Sequence, residues 1–255
     1  MRSTATNLNQ LLQSLQIGAL IFDLDGVVTQ TATVHARAWK KMFDAYLLKK
    51  GKTDGKIYQP LDIKTDYPKY IDGIPRYDGV RNFLRSRDIL LPEGNPADKP
   101  GYETVAALGN QKNEYFRQVL QTDGVAVYPD TIAFIKYYRQ AGLQTAIISA
   151  SKNCLDVLKA ANIENLFDVR VDGVISAELY LKGKPDPAIF LEAARQLNIS
   201  PQKSAIFEDA RAGVQAGKAG NFALVVGVNR LDKDEAEALL QHGADIVIEK
   251  FKTDI

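Results

Sequence analysis

The apolar positions of this chain follow two alternating rhythms. Short unbroken runs recur, each ending in a polar or acidic residue: Ala19-Leu20-Ile21-Phe22 before Asp23, Thr145-Ala146-Ile147-Ile148 before Ser149, and Ser204-Ala205-Ile206-Phe207 before Glu208 and Asp209. Ala223-Leu224-Val225-Val226 and Ile246-Val247-Ile248 continue the series. Runs that are apolar on both faces predict buried strands of a parallel sheet. Between them, apolar residues at helical spacing predict helices over 130–141, 153–162, 187–197 and 210–219. Gly142 and Gly220 follow two of these as stops, and Pro187 suits a first helical turn. Strands alternating with helices predict a doubly wound α/β domain, whose ligands lie beyond the carboxyl ends of the strands. Asp23, Ser149 and Asp209 all fall at such ends.

The stretch 36–126 breaks this rhythm. It lacks a strand pattern and predicts helices at roughly 34–49, 78–87 and 111–121, separated by turn-rich pieces such as Gly51-Lys52-Thr53-Asp54-Gly55. The expectation is a core domain from 1–35 and 127–255, with a helical domain inserted at 36–126. An insert whose linkers begin at the sheet's ligand edge can serve as a lid. Leu8, Leu11, Leu12 and Leu15 predict a short amphipathic helix that docks on the core.

Composition narrows the partners. The 255 residues carry 32 basic and 31 acidic side chains, a net charge of +1. That balance gives no reason to expect nucleic acid or an anionic membrane as partner, but it leaves room for a small anionic substrate. Cys154 is the single cysteine, so an intramolecular disulfide and a thiolate zinc cluster are both excluded. No secretory pattern opens the chain and no run is long enough to cross a bilayer. A monomer in a reducing cytoplasm is expected.

The chemistry concentrates in four segments. Asp23-Leu24-Asp25-Gly26-Val27 places two carboxylates two residues apart at a strand end, where one can attack phosphorus while the other handles a proton. Gly26 allows a sharp turn. Such an attack needs charge relief, and magnesium provides it through one or two carboxylates; Glu208-Asp209 at another strand end can supply the partner carboxylate. Lys184, in Lys182-Gly183-Lys184-Pro185-Asp186-Pro187, can meet a phosphate as a point charge. Ser149 can donate to a phosphoryl oxygen. Each segment also admits a plainer reading: solvated loop aspartates, helix-dipole acids, a loop lysine, a serine cap.

As an ordered set, the four segments resemble the motifs of the haloacid dehalogenase superfamily, over residues 19–39 and about 125–250. The resemblance implies a Rossmann-like core with an all-helical cap. It implies that Asp23 is a nucleophile forming an aspartyl phosphate and that Asp25 is general acid and base. Ser149 and Lys184 would hold the phosphoryl group, and Asp23, the Asp25 carbonyl and Asp209, with Glu208 nearby, would hold magnesium. Thr31-Ala32-Thr33-Val34-His35-Ala36-Arg37-Ala38-Trp39 and Ser149-Ala150-Ser151-Lys152-Asn153 are similar to segments of the β-phosphoglucomutase family and its phosphatase relatives. On that likeness Thr31 and His35 are site or hinge residues, and Ser151, Lys152, Asn153 and Lys112 are substrate-binding. Tyr67-Pro68-Lys69-Tyr70-Ile71-Asp72-Gly73 and Arg76-Tyr77-Asp78-Gly79-Val80-Arg81 resemble superfamily members associated with trehalose or maltose metabolism. Arg76 and Arg81 are there candidates for a second phosphate, surface ion pairs being the other reading. Gln30 stands where the mutases usually carry an acid. The implied activity is isomerisation of β-glucose 1-phosphate, with a sugar-phosphate phosphatase as alternative and a non-catalytic sugar-phosphate-binding module as a distant third.

Overall fold

A computed structural model describes residues 8–71, 75–230 and 233–252; Asp72 and Gly73 of the tyrosine-rich segment lie outside them. The chain forms two compact units, one of residues 1–31 and 125–255, the other of residues 32–124.

The first unit is built on a six-stranded parallel sheet: β1 (Ala19–Asp23), β2 (Gln144–Ile148), β3 (Val169–Val171), β4 (Ser204–Glu208), β5 (Leu224–Val228) and β6 (Ile246–Ile248). Their spatial order is β3-β2-β1-β4-β5-β6. This is a doubly wound arrangement, with its switch point between β1 and β4. The register runs Ala19 beside both Gln144 and Ser204, so Asp23 lines up with Ile148 and sits one residue past Phe207. That register brings the polar residues ending all three runs to one edge.

Period-two alternation sends alternate side chains to opposite faces. Ala19, Ile21, Ala146, Ile148, Ile206 and Val225 pack on one face with Ile189, Phe190 and Val214 from the helices Ala188–Leu197 and Arg211–Ala219. Phe22 and Phe207 stack at 4.5 Å on the other face, where Phe134 of the helix Pro129–Gln140 and Phe251 close over them. Both faces are covered, so β1, β2 and β4 carry unbroken apolar runs before their polar ends, the feature that made these strands legible.

The strand β3 and the helices Gly173–Glu178 and Lys233–Gln241 of this unit escaped the sequence reading. β3 has three residues, two of them only partly buried, too short for a periodic signal. The helix Gly173–Glu178 is one turn and a half, started by Asp172, whose carboxylate accepts from the amides of Val174 and Ile175. Pro187 occupies the N-cap rather than the first turn of its helix.

The second unit is helical: Thr31–Asp54, Asp66–Tyr70, Arg76–Arg85 and Val105–Asp123, with no strand among the described residues. Its core gathers Trp39, Met42, Phe43, Leu47, Leu61, Val80, Phe83, Leu84 and Leu108. The first and last helices are longer than their apolar patterns predict. Lys50–Asp54 pairing extends the former. The latter starts at Thr104, whose hydroxyl accepts from the Ala107 amide as an N-cap. No described helix is long and apolar enough to cross a membrane.

Candidate active site

The edge of the sheet beside the β1–β4 switch point collects buried charge. Asp23 is 5% exposed at the end of β1, and Glu208 is 1% exposed at the end of β4. Lys184 reaches both: its Nζ donates to Asp23 Oδ1 at 2.5 Å and to Glu208 Oε2 at 2.7 Å. Glu208 Oε1 accepts from the Ala210 amide, and Asp23 Oδ2 accepts from the Asp25 amide. The sequence thus brings Lys184 from a loop 161 residues away to bridge two carboxylates.

Asp25 stands one turn further on. Its carboxylate accepts a hydrogen bond from the Thr31 hydroxyl and a long one, 3.5 Å, from Ser149 Oγ. Gly26 between the acids has φ +80°, and a methyl there would overlap the Asp209 carboxylate, so only glycine lets the loop approach Asp209. Ser149 is buried at the end of β2, and its hydroxyl accepts from the Ser151 amide at 3.1 Å. Ser151 in turn accepts from the Asn153 amide. Asn153 is buried and Lys152 is exposed, so the loop presents a serine, a lysine and an amide in succession.

One site residue was missed in the sequence. Gly213 lies inside the helix Arg211–Ala219, where glycine costs about 1 kcal/mol against alanine. A methyl at Gly213 would run into the Glu208 carboxylate. A glycine inside an amphipathic helix, five residues after the acid it accommodates, was the available signal.

Electrostatics set the acids apart. Burial pushes Asp23 up to about 7 against the pull of Lys184, with Glu208 adding like-charge repulsion. Burial and Asp23 raise Asp25 to about 6. Asp209 is raised well above the ordinary range by burial and by Glu208 and Asp23. Lys184 is held protonated, because its two carboxylates outweigh the penalty of burial. Asp23, Glu208 and Asp209 each offer an oxygen within 4.8 Å of the others. Three clustered carboxylates against one ammonium leave an excess of negative charge, and an all-oxygen donor set of this kind fits a hard divalent cation.

Within the helical unit, Lys112 is 4% exposed and its Nζ lies 2.6 Å from His35 Nδ1. The ammonium also lies 5.2 Å from the Trp39 and Phe116 rings. Burial, Lys112 and Arg76 hold His35 far below its ordinary range. His35 is therefore neutral, accepts from Lys112 at Nδ1, and carries its proton on Nε2. Arg76 donates to Asn113 at 3.2 Å. Arg81 does not offer an open fork: its guanidinium is bidentate on Glu93 at 2.8 Å and also pairs with Asp78. A phosphate there would compete with both carboxylates, which favours the ion-pair reading for this residue.

The segment 17–221 matches the haloacid dehalogenase-like hydrolase family. The chain belongs to that family. It is 45% identical over 234 residues to a protein named β-phosphoglucomutase from Mycobacterium bovis, covering 91% of this chain and 89% of that one. It is 28% identical over 228 residues to a phosphorylated carbohydrates phosphatase of Thermotoga maritima, covering 89% and 91%. Among solved structures, the β-phosphoglucomutase of Clostridium difficile superposes with a TM-score of 0.64 at 27% identity, covering 92% and 91%. Family members of this kind are phosphotransferases and phosphatases, and their magnesium use is general.

Proposed function

We propose that this enzyme is a β-phosphoglucomutase that carries the phosphoryl group on Asp23 and converts β-glucose 1-phosphate to glucose 6-phosphate. The observation that carries the reading is the 45% identity to the mycobacterial mutase over nearly the whole chain. The cluster of Asp23, Asp25, Ser149, Lys184, Glu208 and Asp209 supports it. So does the match of the Ser149–Asn153 loop to the chemistry a sugar bisphosphate requires.

Asp23 acts as nucleophile: a carboxylate oxygen forms the O–P bond as the sugar–oxygen–phosphorus link breaks. Asp25, raised to about 6 and hydrogen-bonded to Thr31, supplies the proton to the departing sugar oxygen. In the reverse transfer it takes the proton from the attacking hydroxyl. Lys184, with one donor left beyond its two carboxylates, and Ser149 hold the phosphoryl oxygens. Asp23, Glu208 and Asp209, with the Asp25 carbonyl, would hold Mg2+. When bound, the ion screens the repulsion between carboxylate and phosphate. In a bisphosphate, the phosphate that is not reacting needs partners of its own. Ser151, Lys152 and Asn153 of the core unit are assigned to it. The same chemistry points to a small sugar phosphate as the partner, and we read the enzyme as a cytoplasmic monomer.

The phosphatase of Thermotoga maritima favours a second reading, in which water takes the phosphate from Asp23. Incubation with β-glucose 1-phosphate, magnesium and a trace of glucose 1,6-bisphosphate separates the two. Glucose 6-phosphate without free phosphate is expected; steady phosphate release from many substrates would overturn the mutase.

Stability should report the metal site directly. Asp23 and Asp25 are raised above their ordinary value of 3.8. Without a divalent ion, the folded protein therefore binds more protons than the unfolded chain between those values, and its stability falls as pH rises from about 4 to about 7. Magnesium binds the ionised acids and opposes that fall. The Tm gain on adding magnesium, roughly 5–10 °C at saturating ion for a chain of this size, should be present near neutral pH and shrink toward about pH 5. A gain independent of pH would place the ion elsewhere.

A further inference from the structure

Arg230 follows the end of β5 and is charged, yet its side chain is only 8% exposed. A buried guanidinium needs pairing, and the partners of its two Nη groups come from two separate segments, while Nε is buried without a hydrogen-bond partner. Nη1 donates to Asp130 Oδ2 at 2.8 Å and to the Glu249 carbonyl at 3.4 Å. Nη2 donates to Thr131 Oγ1 at 2.6 Å. The guanidinium lies 4.1 Å over the Tyr128 ring and 5.6 Å from that of Phe251. Asp130 Oδ2 also accepts from the Phe251 amide. One cation thus ties the end of β5, the start of the helix Pro129–Gln140 and the segment 249–251.

Thr131 carries the connection to the catalytic loop. Its hydroxyl is buried, accepts from Arg230, and donates to the Val27 carbonyl at 2.8 Å. Accepting from a permanent cation fixes which way the hydroxyl proton points, so Thr131 is committed to Val27 as donor. Val27 closes the Asp23–Val27 loop. Beside it, the Tyr128 amide donates to the Val28 carbonyl and the Gln30 amide to the Ala126 carbonyl. The cluster therefore sits where the chain leaves and re-enters the first unit.

A buried Arg–Asp pair is a weak source of stability, since apolar replacements often match it; what it supplies is one defined geometry. We propose that Arg230 is a positioning residue for phosphoryl transfer. Through Thr131 it holds the Val27 carbonyl, and with it the turn that aims Asp25 and lays Gly26 against Asp209. This rests on the roles given above to Asp23 and Asp25.

Hydrogen exchange on the full-length protein tests it independently of those roles. In Arg230→Met, the amides of Gly26, Val28 and Thr29, bonded to the Thr29 and Leu24 carbonyls, should exchange roughly tenfold faster while those of β4 are unchanged. In turnover assays kcat should fall about 10- to 100-fold, with KM within about twofold. Arg230→Lys, which keeps the charge, should restore part of both. Thr131→Val removes only the hydroxyl and should reproduce the loop effect, which keeps the test open if Arg230→Met does not fold. Unchanged exchange over 24–29 in the variants, or equal acceleration throughout the sheet, would overturn the proposal. A wild type without phosphoryl transfer would instead sink the reading of Asp23, and the exchange data would still decide for or against Arg230.

Discussion

Asp23→Asn should abolish phosphoryl transfer, by on the order of 10⁴-fold or more, and leave the fold intact. The amide is nearly the size of the carboxylate, and its single carbonyl oxygen can keep one of the two contacts that hold Asp23 now, from Lys184 or from the Asp25 amide. It cannot form a stable acyl phosphate. The change also removes one of three clustered acids. In magnesium-free buffer the variant should therefore melt at or above the wild-type temperature near neutral pH, because the penalty of burying the charge, together with the repulsion from Glu208, outweighs the attraction to Lys184 that is lost. Activity and Tm then move in opposite directions, a combination that a simple packing defect does not produce. Turnover with β-glucose 1-phosphate within tenfold of wild type would remove Asp23 from the mechanism.

Much of this site was readable in the chain because its residues end apolar runs. A strand buried on both faces leaves a continuous signature, and a parallel sheet with a switch point brings the residues ending β1, β2 and β4 together whatever their separation in sequence. Asp23, Ser149, Glu208 and Asp209 were found that way. Lys184 needed the Gly/Pro-rich loop around it, and its contact with Asp23 across 161 residues has no local signature. The resemblance of four ordered segments stood in for it. The parts that stayed hidden share a physical reason. β3 and the helix Gly173–Glu178 are too short to show a period. Gly213 is defined by what a side chain would strike, and Thr131 by a hydroxyl proton whose direction depends on Arg230. In the helical unit the pattern gave helices but not their ends, which rest on an N-cap hydroxyl and i,i+4 ion pairs. Arg81 shows the same limit: a guanidinium's partner is a matter of tertiary approach, and Glu93 reaches it from 12 residues away.

The second large effect is expected from Lys184→Met, which should damage stability and activity through separate routes. The ammonium is the cation contacting Asp23 and Glu208, both almost fully buried. Methionine keeps the apolar stem and its packing near Phe190 but leaves two adjacent carboxylates without their counter-charge. Breaking a buried pair in this way costs about 3–5 kcal/mol. Asp23 can escape by taking up a proton, so the loss should be largest near neutral pH and shrink as pH falls toward about 5, where Asp23 is protonated in either protein. Magnesium should recover part of the lost stability near neutral pH, because it binds the same oxygens. It should not recover turnover, which is expected to stay about 10²- to 10³-fold down, the loss typical of removing one donor to a developing oxyanion. Lys184→Arg should fold better than Lys184→Met and still turn over poorly, since a planar fork cannot replace a compact ammonium between two carboxylates and a phosphoryl oxygen. Thermal melts across pH, with and without magnesium, read the first route, and phosphoryl-transfer rates read the second. A pH-independent stability loss in Lys184→Met would show that the lysine acts through packing. Full rescue of turnover by magnesium would show that its charge serves the acids alone and never meets the phosphate.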